Sequence, residues 1–199
     1  MKYLLFSDIH LHTFLRFGHD VESRLPRRLK EQQHILEQIQ KVRDEEKPDM
    51  VIFGGDLYHQ IGMVPVECLN MADKYRELFE NSVPGNHDMV DLTNPAWFHV
   101  SSRMFTNEGT DLGKVRLVGY HEEVDYERVK GFDLVVLHKT PIGAKDGAYQ
   151  LPDGVDWKKL MDNNGLVFFG HIHMMQKLGE RAFVIGSPLP LRFGDVGEH

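Results

Sequence analysis

Met50-Val51-Ile52-Phe53-Gly54-Gly55-Asp56 is an apolar run that stops at two glycines and a carboxylate. Its apolar residues do not alternate with polar ones, as expected of a parallel strand buried on both faces. The glycines let neighbouring backbone come close to Asp56. The same form recurs along the chain. Lys2 to Phe6 ends at Ser7-Asp8, and a short strand near Ser82-Val83 leads into Pro84-Gly85-Asn86-His87-Asp88. Asp133 to Leu137 ends at His138, and Leu166 to Phe169 ends at Gly170-His171. Five apolar runs thus each deliver a polar residue with chemistry in it: Asp8, Asp56, Asn86, His138 and His171. Ligands of open α/β sheets bind beyond the carboxyl ends of the strands.

Further strands are expected over Val115 to Tyr120 and Ala182 to Ile185, the latter just before Gly186-Ser187-Pro188. Between the strands lie helical patterns. Pro26 suits the first turn of a helix running to about Glu46, with Leu29, Ile35, Leu36, Ile39 and Val42 at helical spacing. Helices are also expected over Val64 to Phe79 and Trp157 to Met161, with a brief helix or turn at Asn94-Pro95-Ala96-Trp97. His12 to Leu25 shows no period and reads as a long loop. Strands alternating with helices predict a layered α/β fold with a largely parallel core, in one domain over residues 1–199.

The composition is that of a globular protein: 199 residues, 41% hydrophobic and 27% charged. No apolar run approaches a membrane span, and the N-terminal run is too short for a signal peptide. The one cysteine, Cys68, fits a reducing compartment, so a cytoplasmic protein is expected, with no membrane partner. The net charge of −7 argues against strong unaided binding to duplex DNA, although Arg24, Arg27, Arg28 and Lys30 form a local basic cluster. Twelve histidines, spread through the chain rather than in a run, ask for an explanation.

The spacing supplies one. In extended backbone, residues two apart point the same way, so Asp8 and His10 can share a metal, and His171 and His173 repeat the pattern. Asp56 is a carboxylate that can bridge two metals, and Asn86 and His138 complete a second set of ligands. Mixed oxygen and nitrogen donors suit Mn²⁺, Fe or Zn²⁺ better than Mg²⁺ or Ca²⁺. Two such ions about 3.5–4 Å apart clamp a phosphate and stabilise in-line displacement. Taken singly, each residue could be a cap or turn at a strand end; seven in register are harder to explain that way.

Asp8-Ile9-His10, Gly55-Asp56, Gly85-Asn86-His87-Asp88, His138 and Gly170-His171-Ile172-His173 match, in order, the motifs of the calcineurin-like metallophosphoesterases. The resemblance spans Asp8 to His173. It implies a four-layer α-β-β-α sandwich with two divalent metals, Mn²⁺ first, at the carboxyl ends of the strands. By this resemblance Asp8, His10 and His173 bind one ion, and Asn86, His138 and His171 bind the other, with Asp56 between them. The resemblance further implies that the metals would supply a hydroxide nucleophile, that His87 would protonate the leaving oxygen and that Asp88 would orient His87.

Gly54-Gly55-Asp56-Leu57-Tyr58-His59 and Gly186-Ser187-Pro188-Leu189-Pro190-Leu191-Arg192-Phe193 resemble the SbcD-type exonuclease branch of DNA repair. That similarity implies a DNA phosphodiesterase with His59 near the scissile phosphate. Those nucleases continue into a DNA-capping domain and a helix that docks on an ATPase, so the similarity also implies an ATPase or other protein partner. Arg16 and Phe17 could touch substrate, though packing of a loop edge on the core is the plainer reading. Two other functions fit the same motifs: a small-molecule phosphodiesterase or phosphomonoesterase, and a non-catalytic protein-binding scaffold. The presence of His87 and of every expected ligand counts against the scaffold.

Overall fold

The computed structural model describes residues 1–89 and 110–190. The strands are β1 (Tyr3–Phe6), β2 (Met50–Phe53), β3 (Thr110–Leu112), β4 (Val115–Val118), β5 (Leu134–His138), β6 (Lys145–Asp146), β7 (Tyr149–Gln150), β8 (Leu166–Gly170), β9 (Gln176–Lys177) and β10 (Ala182–Val184). The helices are α1 (Arg27–Glu46), α2 (Val66–Lys74) and α3 (Trp157–Asn163), with 3₁₀ turns at Leu15–Phe17 and Arg76–Phe79.

Strands β1 and β2 pair in parallel, and six strands form a second sheet in the order β3-β4-β5-β8-β10-β9. Its interior pairs, β4–β5, β5–β8 and β8–β10, are parallel, and its two edge pairs are antiparallel.

Alternation of side chains along the strands builds the layers. On β2, Val51 and Phe53 face a core shared with Leu29 and Leu36 of α1 and Met71 and Ala72 of α2. Ile52, one residue out of phase, faces instead a core shared with Leu117, Leu134 and Val136 of the larger sheet. On β5 and β8, the opposite set of Val135, Leu137, Val167 and Phe169 packs against Leu160 of α3. The order is therefore helix, sheet, sheet, helix, a mixed α/β sandwich of four layers. It follows from strands that are apolar on both faces.

The differences from expectation are local. The expected Val64–Phe79 helix is split: α2 begins after Pro65, because a residue preceding proline is pushed out of helical geometry. It stops where Tyr75 leaves the helical region, and one 3₁₀ turn follows. The strand expected at Ser82-Val83 is reduced to one bridge, Phe53 to Ser82. The His12–Leu25 loop contains the Leu15–Phe17 turn and a bridge from His19 to Pro26. Strands β6, β7 and β9 have two residues each, too few to show a period in sequence. The expectation at Asn94-Pro95-Ala96-Trp97 and the stretch Leu191-Arg192-Phe193 lie outside the described residues. No described helix is long and apolar enough to cross a membrane.

Register places the site. Phe6 lies opposite Phe53 and His138 opposite Gly170, so the loops leaving these strands emerge side by side.

Candidate metal centre

Four of the residues that leave the strand ends, Asp8, His10, Asp56 and His171, have positive φ, between 51° and 82°. Non-glycine residues there are strained, and such strain concentrates at functional sites. The extended backbone expected across Asp8-Ile9-His10 is thus replaced by two left-handed residues. Asp8 and His10 still converge, but through that bend and not through strand alternation. His171-Ile172-His173 departs further, and its two histidines enter different clusters.

Beside a group of His10, His59 and His87, two groups of buried or half-buried donors hold expected ligands: Asp8, His10 and His173, and Asp56, His138 and His171, the ligand atoms of each group within 4.8 Å of one another. Asp56 lies between them. Its Oδ2 is 3.4 Å from His10 Nε2 and 3.3 Å from His138 Nε2. Its Oδ1 accepts the His87 backbone N–H at 2.9 Å. His10 Nε2 and His173 Nε2 are 3.2 Å apart, and both lie 3.9 Å from Asp8 Oδ1. Asn86 Oδ1 is 2.9 Å from His171 Nδ1 and so joins the second group.

The donor set fits divalent cations. His138 Nδ1 donates to the Gly54 carbonyl at 2.7 Å, which leaves Nε2 facing Asp56 to take up a cation or a proton. Metal-binding histidines are held in this way, their second nitrogen bonded to a carbonyl or carboxylate. His138 Nε2 is fully buried and makes no hydrogen bond, despite its 3.3 Å approach to Asp56. Buried, unsatisfied nitrogen facing buried carboxylate is costly unless a cation or proton lies between them.

The electrostatics agree. Burial pushes Asp8 up to about 7, against the pull of His138. Burial acts against the charged form of Asp56 too, but His138 and His10 hold it well below the usual carboxylate range. For His138 burial is again the largest influence and is overcome: Asp56 raises it to about 9. Burial lowers His10 well below its ordinary value and His171 to about 4, keeping both neutral.

His87 and His59 complete the mouth of the site. The His87 ring lies edge-on to His10, centroids 4.8 Å apart, and stacks on His59 at 5.7 Å. Its Nδ1 donates to the His59 carbonyl at 2.5 Å. A carbonyl can only accept, so Nδ1 carries the hydrogen and Nε2 is the nitrogen left for chemistry. Burial lowers His59 to about 4.

Asp88 does not take the position expected of it. Its oxygens accept four backbone N–H groups, from Asp56, Leu57, Tyr58 and Gly85, at 2.8 to 3.2 Å. The fully buried carboxylate ties two site loops together, and the His59 carbonyl, not Asp88, orients the His87 ring. Burial and the neighbouring Asp56 push Asp88 up to about 7, against these hydrogen bonds.

Glycines admit the crowding. Gly55 has φ +103°, and a Cβ there would strike the His138 ring; one at Gly85 would fall on the Asp56 carboxylate.

Two supporting residues escaped the sequence reading. Gln32 of α1 is fully buried; its amide nitrogen donates to the Ile9 and His10 carbonyls at 3.1 and 2.6 Å, and its oxygen accepts from the His12 N–H at 3.2 Å. The available signal was a polar residue in the buried stripe Leu29, Gln32, Leu36. Ser187 donates to the Asp8 carbonyl at 2.8 Å, and its N–H donates to the His173 carbonyl at 2.8 Å. The Gly186-Ser187-Pro188 turn therefore buttresses the first donor group.

Comparisons with known proteins bear on the same residues. The chain is 24% identical over 173 residues to a protein of Invertebrate iridescent virus 6 named "Putative phosphoesterase 244L". The match takes in 74% of this chain and spans 60% of that relative's length. Among solved structures, YfcE, a phosphoesterase from E. coli, matches over 94% of this chain and 80% of its own, at 16% identity and a TM-score of 0.38. The family model of the calcineurin-like phosphoesterases matches residues 1–175, which hold both donor groups, His59 and His87. The chain belongs to the calcineurin-like phosphoesterase family.

Proposed function

We propose that the protein hydrolyses phosphodiester bonds in nucleic acid, DNA first, with two divalent ions, Mn²⁺ foremost, shared across Asp56. The observation that carries this reading is the position of Asp56 Oδ2, 3.4 Å from a nitrogen of one donor group and 3.3 Å from a nitrogen of the other. Asp8, His10 and His173 would hold the first ion, and Asn86, His138 and His171 the second. When bound, such ions polarise the phosphate and make water nucleophilic at neutral pH.

The chain's own groups supply the rest. Asp8 and Asp56 bring the negative charge that balances the cations. The Gly54 carbonyl fixes His138 in one tautomer. His87, its Nδ1–H bonded to the His59 carbonyl, would act as the doubly protonated imidazolium, giving the Nε2 proton to the leaving oxygen and ending as the neutral Nδ1–H ring. The alcohol group displaced from a diester departs as an alkoxide and needs that proton. His59, stacked on His87, lines the path of the leaving strand.

Labelled single- and double-stranded DNA, p-nitrophenyl phosphate and its bis-ester, each incubated with pure protein and Mn²⁺, test this reading. Cleavage of DNA and of the bis-ester is expected, with the monoester slow. Intact DNA beside rapid turnover of the small esters would make the protein a small-molecule phosphoesterase. Inactivity on every substrate with both metal positions filled would make it a scaffold.

A further inference from the structure

A cavity of about 400 Å³ opens beside the mouth of the metal centre, between the loop after β1 and the start of α1. Phe14, Arg16, Phe17, Arg27, Arg28 and Glu31 line it. Its size is that of small-ligand sites. Rings connect it to the reacting centre. Phe14 lies 4.9 Å from His59 and 6.2 Å from Phe17, and His59 lies 5.4 Å from His10, each between ring centroids.

The charges in the cavity are unequal. Arg28 is committed to Glu31 at 2.9 Å and to the Pro190 carbonyl at 2.6 Å. Arg16 and Arg27 have no carboxylate partner among the described residues. Arg27 Nε only reaches the His19 carbonyl at 3.4 Å, and the Arg16 guanidinium lies over the Phe17 ring at 4.8 Å. The Phe17 side chain is itself half-exposed. On a chain with net charge −7, a cavity that offers two guanidinium groups without a carboxylate partner among the described residues, beside a half-exposed aromatic ring, is a local exception.

We infer that this cavity is a nucleotide subsite, in which a base stacks on Phe17 and Phe14 while the adjoining phosphate lies between Arg16 and Arg27. Aromatic faces beside arginines are how single-stranded nucleic acid is held without sequence preference, since every base has a face to stack and every unit a phosphate to pair. The subsite rests on the phosphodiesterase reading above and deepens it: the preferred substrate is an unpaired strand, because a paired base cannot enter the cavity.

Phe17→Ala and Arg27→Ala test the subsite without touching the metal centre. A fluorescein-labelled single-stranded oligonucleotide serves in two assays, Mn²⁺-dependent cleavage and binding by fluorescence anisotropy without divalent metal. Each variant is expected to raise KM and the dissociation constant for the oligonucleotide by about tenfold, from the usual worth of one stacked base. The rate at saturation and the hydrolysis of bis(p-nitrophenyl) phosphate should stay unchanged, and Phe17→Trp should restore binding. Unchanged KM and binding in both variants would overturn the subsite. Oligonucleotide binding that is weakened by the variants, in a wild-type protein that never cleaves DNA, would uphold the subsite and refute the nuclease reading. Absence of both binding and cleavage in the wild type would refute both.

Discussion

Adjacent residues His87 and Asp88 do different jobs, and their substitutions should separate cleanly. Among the described residues, the hydrogen bonds of His87 are the one from Nδ1 to the His59 carbonyl and the one from its backbone N–H to Asp56, and the second does not need the side chain. His87→Ala should therefore keep both metal ions, measured by elemental analysis, and lose about 10²–10⁴-fold in rate as a missing general acid does. Asp88→Ala removes the acceptor of four buried N–H groups. It should cost about 3 kcal/mol of stability or more in urea unfolding, since each unpaired buried donor carries its own desolvation penalty. An Asp88→Ala protein with wild-type stability and only a reduced rate would return Asp88 to the role of orienting His87. Sequence could not tell these roles apart. The Gly85-Asn86-His87-Asp88 pattern places a carboxylate next to a histidine, while three of the four partners of that carboxylate come from the loop after β2.

At the level of elements, the strands were legible and their loops were not. Apolar runs such as Met50–Phe53 and Leu134–His138 show in sequence because both faces are buried, and they lie where expected. The left-handed turns at Asp8, His10, Asp56 and His171 left no trace, because aspartate and histidine do not announce positive φ as glycine does. The grouping of His173 with Asp8 and His10, and of His171 with His138, is a product of those turns and of register. Helix α1 is likewise more than a layer of the sandwich. Through Gln32 it holds the backbone from Ile9 to His12 in its bend. Gln32→Leu keeps the buried volume and removes those bonds. It should weaken metal binding by about 10–100-fold, the usual effect of losing a group that supports a ligand. Titration of metal into the protein would show this, with Gln38→Leu on the exposed side of α1 as the unaffected control. Equal affinities in both variants would mean the bend is set by β1 and β2 alone.

At the scale of the molecule, the two sheets of the sandwich and the helices that cover them bring distant parts of the chain to one point. His10 and His173 are 163 residues apart in sequence and their Nε2 atoms 3.2 Å apart in space. There, at the carboxyl ends of the strands, lie buried and half-buried carboxylates and histidines that neutralise each other only in part. The fold is arranged around positive charge supplied from outside. The acidic balance of the chain points the same way, since cations and a small basic cavity, not a broad basic face, would attract a phosphate-bearing strand. The claim on which the rest depends is that Asp56 is shared by two ions. Anomalous scattering from Mn²⁺-soaked crystals measures this directly. Two peaks about 3.5–4 Å apart, one on each side of Asp56 Oδ2, are the predicted result. A single peak, or a peak among His10, His59 and His87 with none beside His138, would contradict it.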